Sequence, residues 1–165
     1  MKIEIINKNK FYKYKDVIDS IHLENAYPNN GYLIDDDYLI NADKIVLVFI
    51  DNRVVGYASL SKEDIIPDEG SDFSITISPN NIKIKQIAIT KSYQNKGIGT
   101  TLINYIKKYA KDNNIDYIYL YSMWLNKKGQ RFYLKNNFVI SGVWSALEYK
   151  GIKNPKSYFY SYKVK

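Results

Sequence analysis

The sequence predicts an α/β fold of the α+β type: a mixed, mostly antiparallel sheet of six to seven strands with helices on both faces. Three observations predict it. Residues 44–50 and 54–60 are β-rich apolar runs separated by Asp51, Asn52 and Arg53, which reads as a hairpin. Residues 82–90 read as a strand that enters a glycine-containing turn and then a strongly periodic helix, 100–113, with Leu102, Ile103, Ile106, Tyr109 and Ala110 on one face. A further strand, helix and two or three strands follow, so hairpins and crossovers are mixed in one chain. A chain of 165 residues is expected to make one domain, 1–165, with a core that needs no staples.

The elements follow in order. Residues 3–6 form the first strand. Residues 16–25 form a helix with Val17, Ile18, Ile21 and Leu23 facing inward. Tyr27, Pro28, Asn29, Asn30 and Gly31 end it. Residues 32–42, with Asp35, Asp36 and Asp37, read as a short helix or a loop. Gly56, inside the second hairpin strand, signals a bulge or a close backbone approach. Residues 61–81 read as a loop with a short strand at 73–77. In the strand 82–90 the apolar positions are 82 and 84, then 87 and 89, so the two-residue phase flips near Lys85 and Gln86. One extra residue produces such a flip, which predicts a β-bulge whose unpaired backbone groups could serve a ligand. Residues 115–123 form a strand with Ile118 and Leu120 on one face and Tyr117, Tyr119 and Tyr121 on the other. A helix at 127–135 takes Asn126 as N-cap and closes on Asn137 in the left-handed region. Strands within 138–147 and at 157–164 finish the chain.

Composition narrows the chemistry. With no cysteine and one histidine, His22, the chain has no disulfide framework, thiolate site, cysteine nucleophile or multi-histidine metal site. Catalysis must use carboxylates, tyrosines, backbone amides or a cofactor. The longest apolar run, 45–50, is strand-sized, and Met1, Lys2, Ile3 and Glu4 lack the layout of a signal peptide. A cytoplasmic location without membrane contact is therefore expected. The charge is polarised. Residues 126–165 hold 9 basic and 1 acidic side chains, whereas residues 16–72 hold 13 acidic and 3 basic. Such a layout suits one pole for a polyanion and another for a cation. A genome rich in A and T would also raise the lysine content.

The segment from Ile87 through Ala88, Ile89 and on to Thr100 carries the strongest signal. A strand runs into a turn containing Gly97 and Gly99, and the turn opens a helix. The first turn of a helix presents N–H groups without intrahelical acceptors and the positive end of the dipole, an anion site. Lys96 adds charge. The expected ligand is a phosphate or pyrophosphate. The patterns of nucleoside triphosphatases and dinucleotide folds are both absent.

Gln94, Asn95, Lys96, Gly97, Ile98 and Gly99 resemble the [Q/R]-x-x-G-x-[G/A] signature of the GNAT superfamily of N-acetyltransferases. Val54, Val55, Gly56 and Tyr57 resemble the end of its central hairpin, and Ile87, Ala88 and Ile89 its bulged fourth strand. Asn126, Phe132, Tyr133 and Phe138 resemble its N-x-x-A-x-x-F-Y-x-x-x-G-F tail. The resemblance covers about residues 44–140 and implies acetyl-CoA as acyl donor and a primary amine as acceptor. It further implies that the backbone of Gln94, Asn95, Lys96, Gly97, Ile98 and Gly99, with Thr100, holds the pyrophosphate. Ile87, Ala88 and Ile89 would pair with the pantetheine arm, one of their N–H groups polarising the thioester carbonyl. Asn126 would bond the pantetheine, and Tyr133 would protonate the departing thiolate.

Two positions depart from the pattern: Gly129 replaces the usual alanine, a cost of about 1 kcal/mol in helix propensity, and Asn137 replaces glycine. A third departure concerns the base. The bulged strand offers Lys83, Lys85 and Gln86 but no acid; Glu69, Asp72 and Glu148 are remote candidates. Acceptors read as small-molecule amines first and as protein lysines or N-termini second. A basic module binding nucleic acid through Lys and Tyr of residues 149–165 comes last, and a homodimer stays open. Lys127, Lys128 and Arg131 read as solvated helix residues or as attractors of phosphate. Trp124 and Trp144 read as core first and as a substrate platform second, and His22 as a packed or surface residue.

Overall fold

The computed structural model describes residues 1–25, 42–62, 71–73, 80–145, 148–149 and 152–164. The chain forms two compact units, one of Met1–Ser61 with Ile84–Lys108 and the other of Lys62–Lys83 with Tyr109–Lys165. The expected stop at Tyr27 to Gly31 and the triad Asp35, Asp36 and Asp37 lie outside the described residues.

In the first unit β1 (Lys2–Asn7) pairs antiparallel with β2 (Lys44–Ile50), and β2 with β3 (Arg53–Ser61). The β2–β3 turn is a two-residue one. Asp51 and Asn52 both have positive φ, 47° and 62°, the twist that matches a hairpin. Ile45, Val46, Leu47 and Val48 are buried in succession, so β2 is covered on both faces. The register shifts between Val48 and Phe49, leaving Val55 as the extra residue of a bulge beside Gly56. Gly56 is also a close approach: a Cβ there would overlap Ile89 Cδ1 and lie 3.1 Å from the Ala88 carbonyl. Both readings of that glycine hold at once.

Residues Lys8–Tyr14 form a 3-10 helix that the sequence pattern did not announce, and α1 (Lys15–Asn25) follows it directly. Phe11, Ile18 and Ile21 join Ile6, Ile45, Leu47, Tyr57 and Ala88 in one core cluster. Leu23 was expected inward and is 60% exposed. At 100° per residue it points away from the Ile18–Ile21 stripe, and His22 takes the place beside that stripe.

In the second unit β6 (Tyr117–Met123) pairs antiparallel with β10 (Lys156–Lys163), β10 with β7 (Val139–Ser145), and β7 with the short β4 (Ser71–Phe73). The first residues of β5 (Asn81–Ile89) add the parallel pair, and that register runs through Asn81, Ile82 and Lys83 only. A two-stranded ribbon of β8 (Glu148–Tyr149) and β9 (Ile152–Lys153) stands apart. Tyr119, Tyr121 and Phe159 stack on one face of the sheet, as the alternation in β6 predicts.

α2 (Ile98–Asp112) carries Leu102, Ile103, Ile106 and Ala110 fully buried, the predicted face. α3 (Lys127–Lys135) has its predicted bounds. Trp124, expected in the core, is 37% exposed, with Lys127 Nζ 5.8 Å from its ring centroid. It follows the last residue of β6 on a turn. No helix among the described residues is long and apolar enough to cross a membrane.

Candidate active site

In the first unit, β5 ends at Ile89 and the chain turns through a short 3-10 segment, Lys91–Tyr93, into residues 94–97 and then α2. Asn95 and Gly97 have φ of 60° and 79°, so the backbone alternates hand and turns successive N–H groups toward one side. A Cβ at Gly97 would meet nothing within 4 Å; the glycine is required by its φ and by access, not by crowding. The first donor of α2 with a main-chain acceptor is Thr101, to Gly97 O at 3.0 Å. Among the described residues the N–H groups of Asn95, Lys96, Gly97, Ile98, Gly99 and Thr100 make no hydrogen bond. Six such donors at a helix start favour an anion. Ile98 is buried and anchors the turn, while Asn95, Lys96 and Gly97 are exposed.

Side chains from elsewhere in the unit fix this turn. Gln94 Nε2 donates to Ile89 O and to Asn25 Oδ1, both at 2.8 Å. Asn25 Nδ2 donates to the same Ile89 O at 3.1 Å and to Ile21 O at 2.8 Å. The Glu24 carboxylate accepts from Lys91 N at 2.9 Å, and Thr90 N donates to Val55 O at 2.9 Å. The side chain of Gln94 is thus a brace that ties the loop to β5 and to the end of α1. Sequence reasoning placed only its backbone in the site and missed Glu24 and Asn25 entirely.

The β5 residues Gln86, Ile87, Ala88 and Ile89 lie just before this turn. Gln86 Oε1 accepts from the Tyr57 hydroxyl at 2.9 Å, and that hydroxyl lies 2.9 Å from His22 Nδ1. Burial raises the Tyr57 hydroxyl well above the ordinary tyrosine value, so it stays protonated. Burial lowers His22, against a smaller opposite pull from Asp19.

In the second unit Asn126 caps α3 as expected, its Oδ1 accepting from Gly129 N at 2.9 Å. A Cβ on residue 129 would overlap the Asn126 side chain, so Gly129 clears the space in which the cap folds back. The other end of α3 closes through Asn137 with φ 62°. Phe138 N donates to Tyr133 O at 3.1 Å and Asn137 N to Leu134 O at 3.0 Å, the paired bonds of a Schellman motif. This end positions Tyr133, whose ring is 6.1 Å from Phe138, 5.4 Å from Phe132 and 5.4 Å from Tyr160. Tyr133 is 8% exposed, and burial pushes its phenol well above the ordinary value. A phenol held protonated can give a proton and cannot serve as a base near neutrality.

Lys127, Lys128 and Arg131 are exposed on α3. Of the remote carboxylates, Asp72 is exposed on β4, whereas Glu69 and the side chain of Glu148 lie outside the described residues. A surface hollow of about 410 Å³ lined by Met1, Lys2, Glu4, Tyr14, Phe49, Asp51 and Asn52 contains none of the residues singled out by sequence.

Residues 12–138 match the acetyltransferase (GNAT) family. A 60-residue stretch is 35% identical to streptothricin acetyltransferase A of Bacillus subtilis (strain 168); it covers 36% of this chain and spans about a third, 35%, of that relative's length. A Bacillus anthracis str. Ames protein described as a streptothricin acetyltransferase, solved in complex with acetyl coenzyme A, is 26% identical. Its TM-score is 0.61, over 80% of this chain and 69% of that one. The protein smu.2055 of Streptococcus mutans UA159 shares the fold over 100% of both chains at TM-score 0.73 and 18% identity.

Proposed function

Because the chain belongs to the acetyltransferase (GNAT) family, we propose that it moves an acetyl group from acetyl-CoA to a primary amine of a small molecule by direct transfer. The observation that carries this reading is the turn at 94–100: unbonded main-chain donors, a left-handed Gly97 and a helix start directly after β5. There Gln94, Asn95, Lys96, Gly97, Ile98, Gly99 and Thr100 would receive the pyrophosphate, with donors fixed before the ligand arrives. The acetyl coenzyme A in the Bacillus anthracis relative supports the donor half.

Ile87, Ala88 and Ile89 would carry the pantetheine along their backbone, and one N–H would polarise the thioester carbonyl. Asn126, at the start of α3, would contact the pantetheine. Tyr133 would protonate the thiolate; burial keeps its phenol in the protonated form that this role starts from. The excess of acid over residues 16–72 favours a cationic acceptor by long-range attraction. The Bacillus subtilis and Bacillus anthracis relatives are both described as streptothricin acetyltransferases, so streptothricin heads the acceptor panel.

The test is free-thiol release from acetyl-CoA with streptothricin, polyamines, aminoglycosides, amino acids and lysine-bearing peptides as acceptors. Saturable release with a small amine and none with peptides is expected. Release with peptides alone would move the acceptor to protein. Absence of both release and calorimetric binding of acetyl-CoA would end the reading.

A further inference from the structure

Amine acetylation needs a proton acceptor, because an ammonium has no lone pair with which to attack a thioester. The middle of β5 offers Lys83, Lys85 and Gln86 but no carboxylate or imidazole. Gln86 is nevertheless connected to one. Its Oε1 can only accept, so the single hydroxyl proton of Tyr57 is committed to it. The 2.9 Å contact between Tyr57 Oη and His22 Nδ1 must then use the ring as donor. That fixes the tautomer: the hydrogen sits on Nδ1, and Nε2 carries the lone pair.

We propose that His22 is the base of this reaction, accepting the proton of the incoming ammonium at Nε2, directly or through one water. The proposal rests on the acyl-transfer reading above. The helix that carries His22 is anchored to the same strand twice. His22 reaches Gln86 through Tyr57, and Asn25, three residues on, bonds the carbonyl of Ile89, three residues beyond Gln86. The ring is therefore held beside the stretch of β5 that would present the thioester. It is half-buried, so part of it meets solvent.

The ring can be protonated without rearranging the chain of bonds, since Nδ1 keeps its hydrogen toward Tyr57. Asp19, one turn earlier on α1, favours the imidazolium; its Oδ2 pairs with Lys15 at 2.5 Å, and its Oδ1 is buried without a hydrogen bond among the described residues. Tyr57 and Gln86, from β3 and β5, are neutral, so Asp19 and Lys15 are the charged groups of this network. Burial dominates and keeps the free ring neutral near pH 7.

The step balances. An ammonium N–H breaks as Nε2–H forms, and the freed lone pair attacks the thioester carbon. The C–N bond forms and the C–S bond breaks. The thiolate takes a proton from Tyr133, the second N–H proton of the adduct restores the phenol, and His22 returns its proton to solvent. One amide, one thiol and one proton result.

The chain has a single histidine, so imidazole ¹⁵N NMR reads His22 without ambiguity. Near pH 7 the expected spectrum has Nδ1 protonated and Nε2 bare, and Tyr57→Phe shifts population toward the other tautomer. His22→Gln is expected to lower kcat about 100-fold and to abolish the acid limb of the pH–rate profile, using the fastest amine of the panel. That limb should have its midpoint below the ordinary histidine value of 6.5. Acetyl-CoA affinity should stay within about twofold, since the turn at 94–100 is untouched. A hydrogen on Nε2 in the wild type, or wild-type kcat with an intact acid limb in His22→Gln, overturns the proposal while leaving the donor site standing. Failure of the wild type to bind acetyl-CoA removes both.

Discussion

Residues 94–100 are held by polar braces from outside, whereas Tyr133 is held by rings and by its own helix end. Around the loop, Gln94, Asn25 and Glu24 satisfy backbone groups at its margins and leave the donors in its middle unbonded. Around Tyr133, Phe132, Phe138 and Tyr160 exclude water from a phenol, and Asn137 closes the helix under it. The difference teaches which atoms matter in each place. If the loop receives the pyrophosphate as proposed, it would do so through main-chain N–H groups, whose placement depends on the braces and φ angles and not on the exposed side chains. In the role proposed for Tyr133 a single side-chain oxygen would carry the chemistry, and burial keeps that oxygen protonated.

The comparison can be broken by substitution, beginning with the largest effect. Tyr133→Phe keeps the ring packing and removes one oxygen; kcat should fall about 100-fold with acetyl-CoA affinity unchanged, as read by steady-state kinetics and calorimetry. Unchanged kcat across pH would take Tyr133 out of the mechanism. Gln94→Ala removes the Nε2 hydrogen bonds to Ile89 O and Asn25 Oδ1, at about 1 kcal/mol each, so acetyl-CoA should bind roughly thirtyfold more weakly while kcat at saturation holds. Gly97→Ala forces a Cβ into the left-handed region at about 1 kcal/mol; with open space around it, affinity should drop roughly fivefold without unfolding. Gly129→Ala gains about 1 kcal/mol of helix propensity and disturbs a cap worth about the same. Its melting temperature should barely move, and a clear rise would mean that the Asn126 cap adds little.

What the sequence made legible is what local chemistry encodes. The β2–β3 turn, the buried face of α2, the bounds of α3, the Asn126 cap and the left-handed Asn137 all follow from residues within a few positions of one another. The loop's donors were legible too, because Gly97 and a helix start are adjacent. The 3-10 helix at Lys8–Tyr14 was not, since its lysines, asparagine and tyrosines carry no period and, among the side chains described there, only Phe11 is deeply buried. The braces and the His22–Tyr57–Gln86 chain escaped for another reason. They join positions 35, 29, 64 and 69 residues apart, a separation no window of neighbouring residues reports. Leu23 and Trp124 show the converse: hydrophobic identity alone does not say which side of an element is covered.

The most direct measurement is a backbone amide NMR titration of the protein with acetyl-CoA. If main-chain donors receive the pyrophosphate, the amide signals of residues 95–100 shift together and saturate at one equivalent. The Lys96→Ala protein should give nearly the same curve, and the Gln94→Ala protein a weaker one. Saturable binding that leaves the amides of Gly97, Ile98, Gly99 and Thr100 where they were would contradict the account.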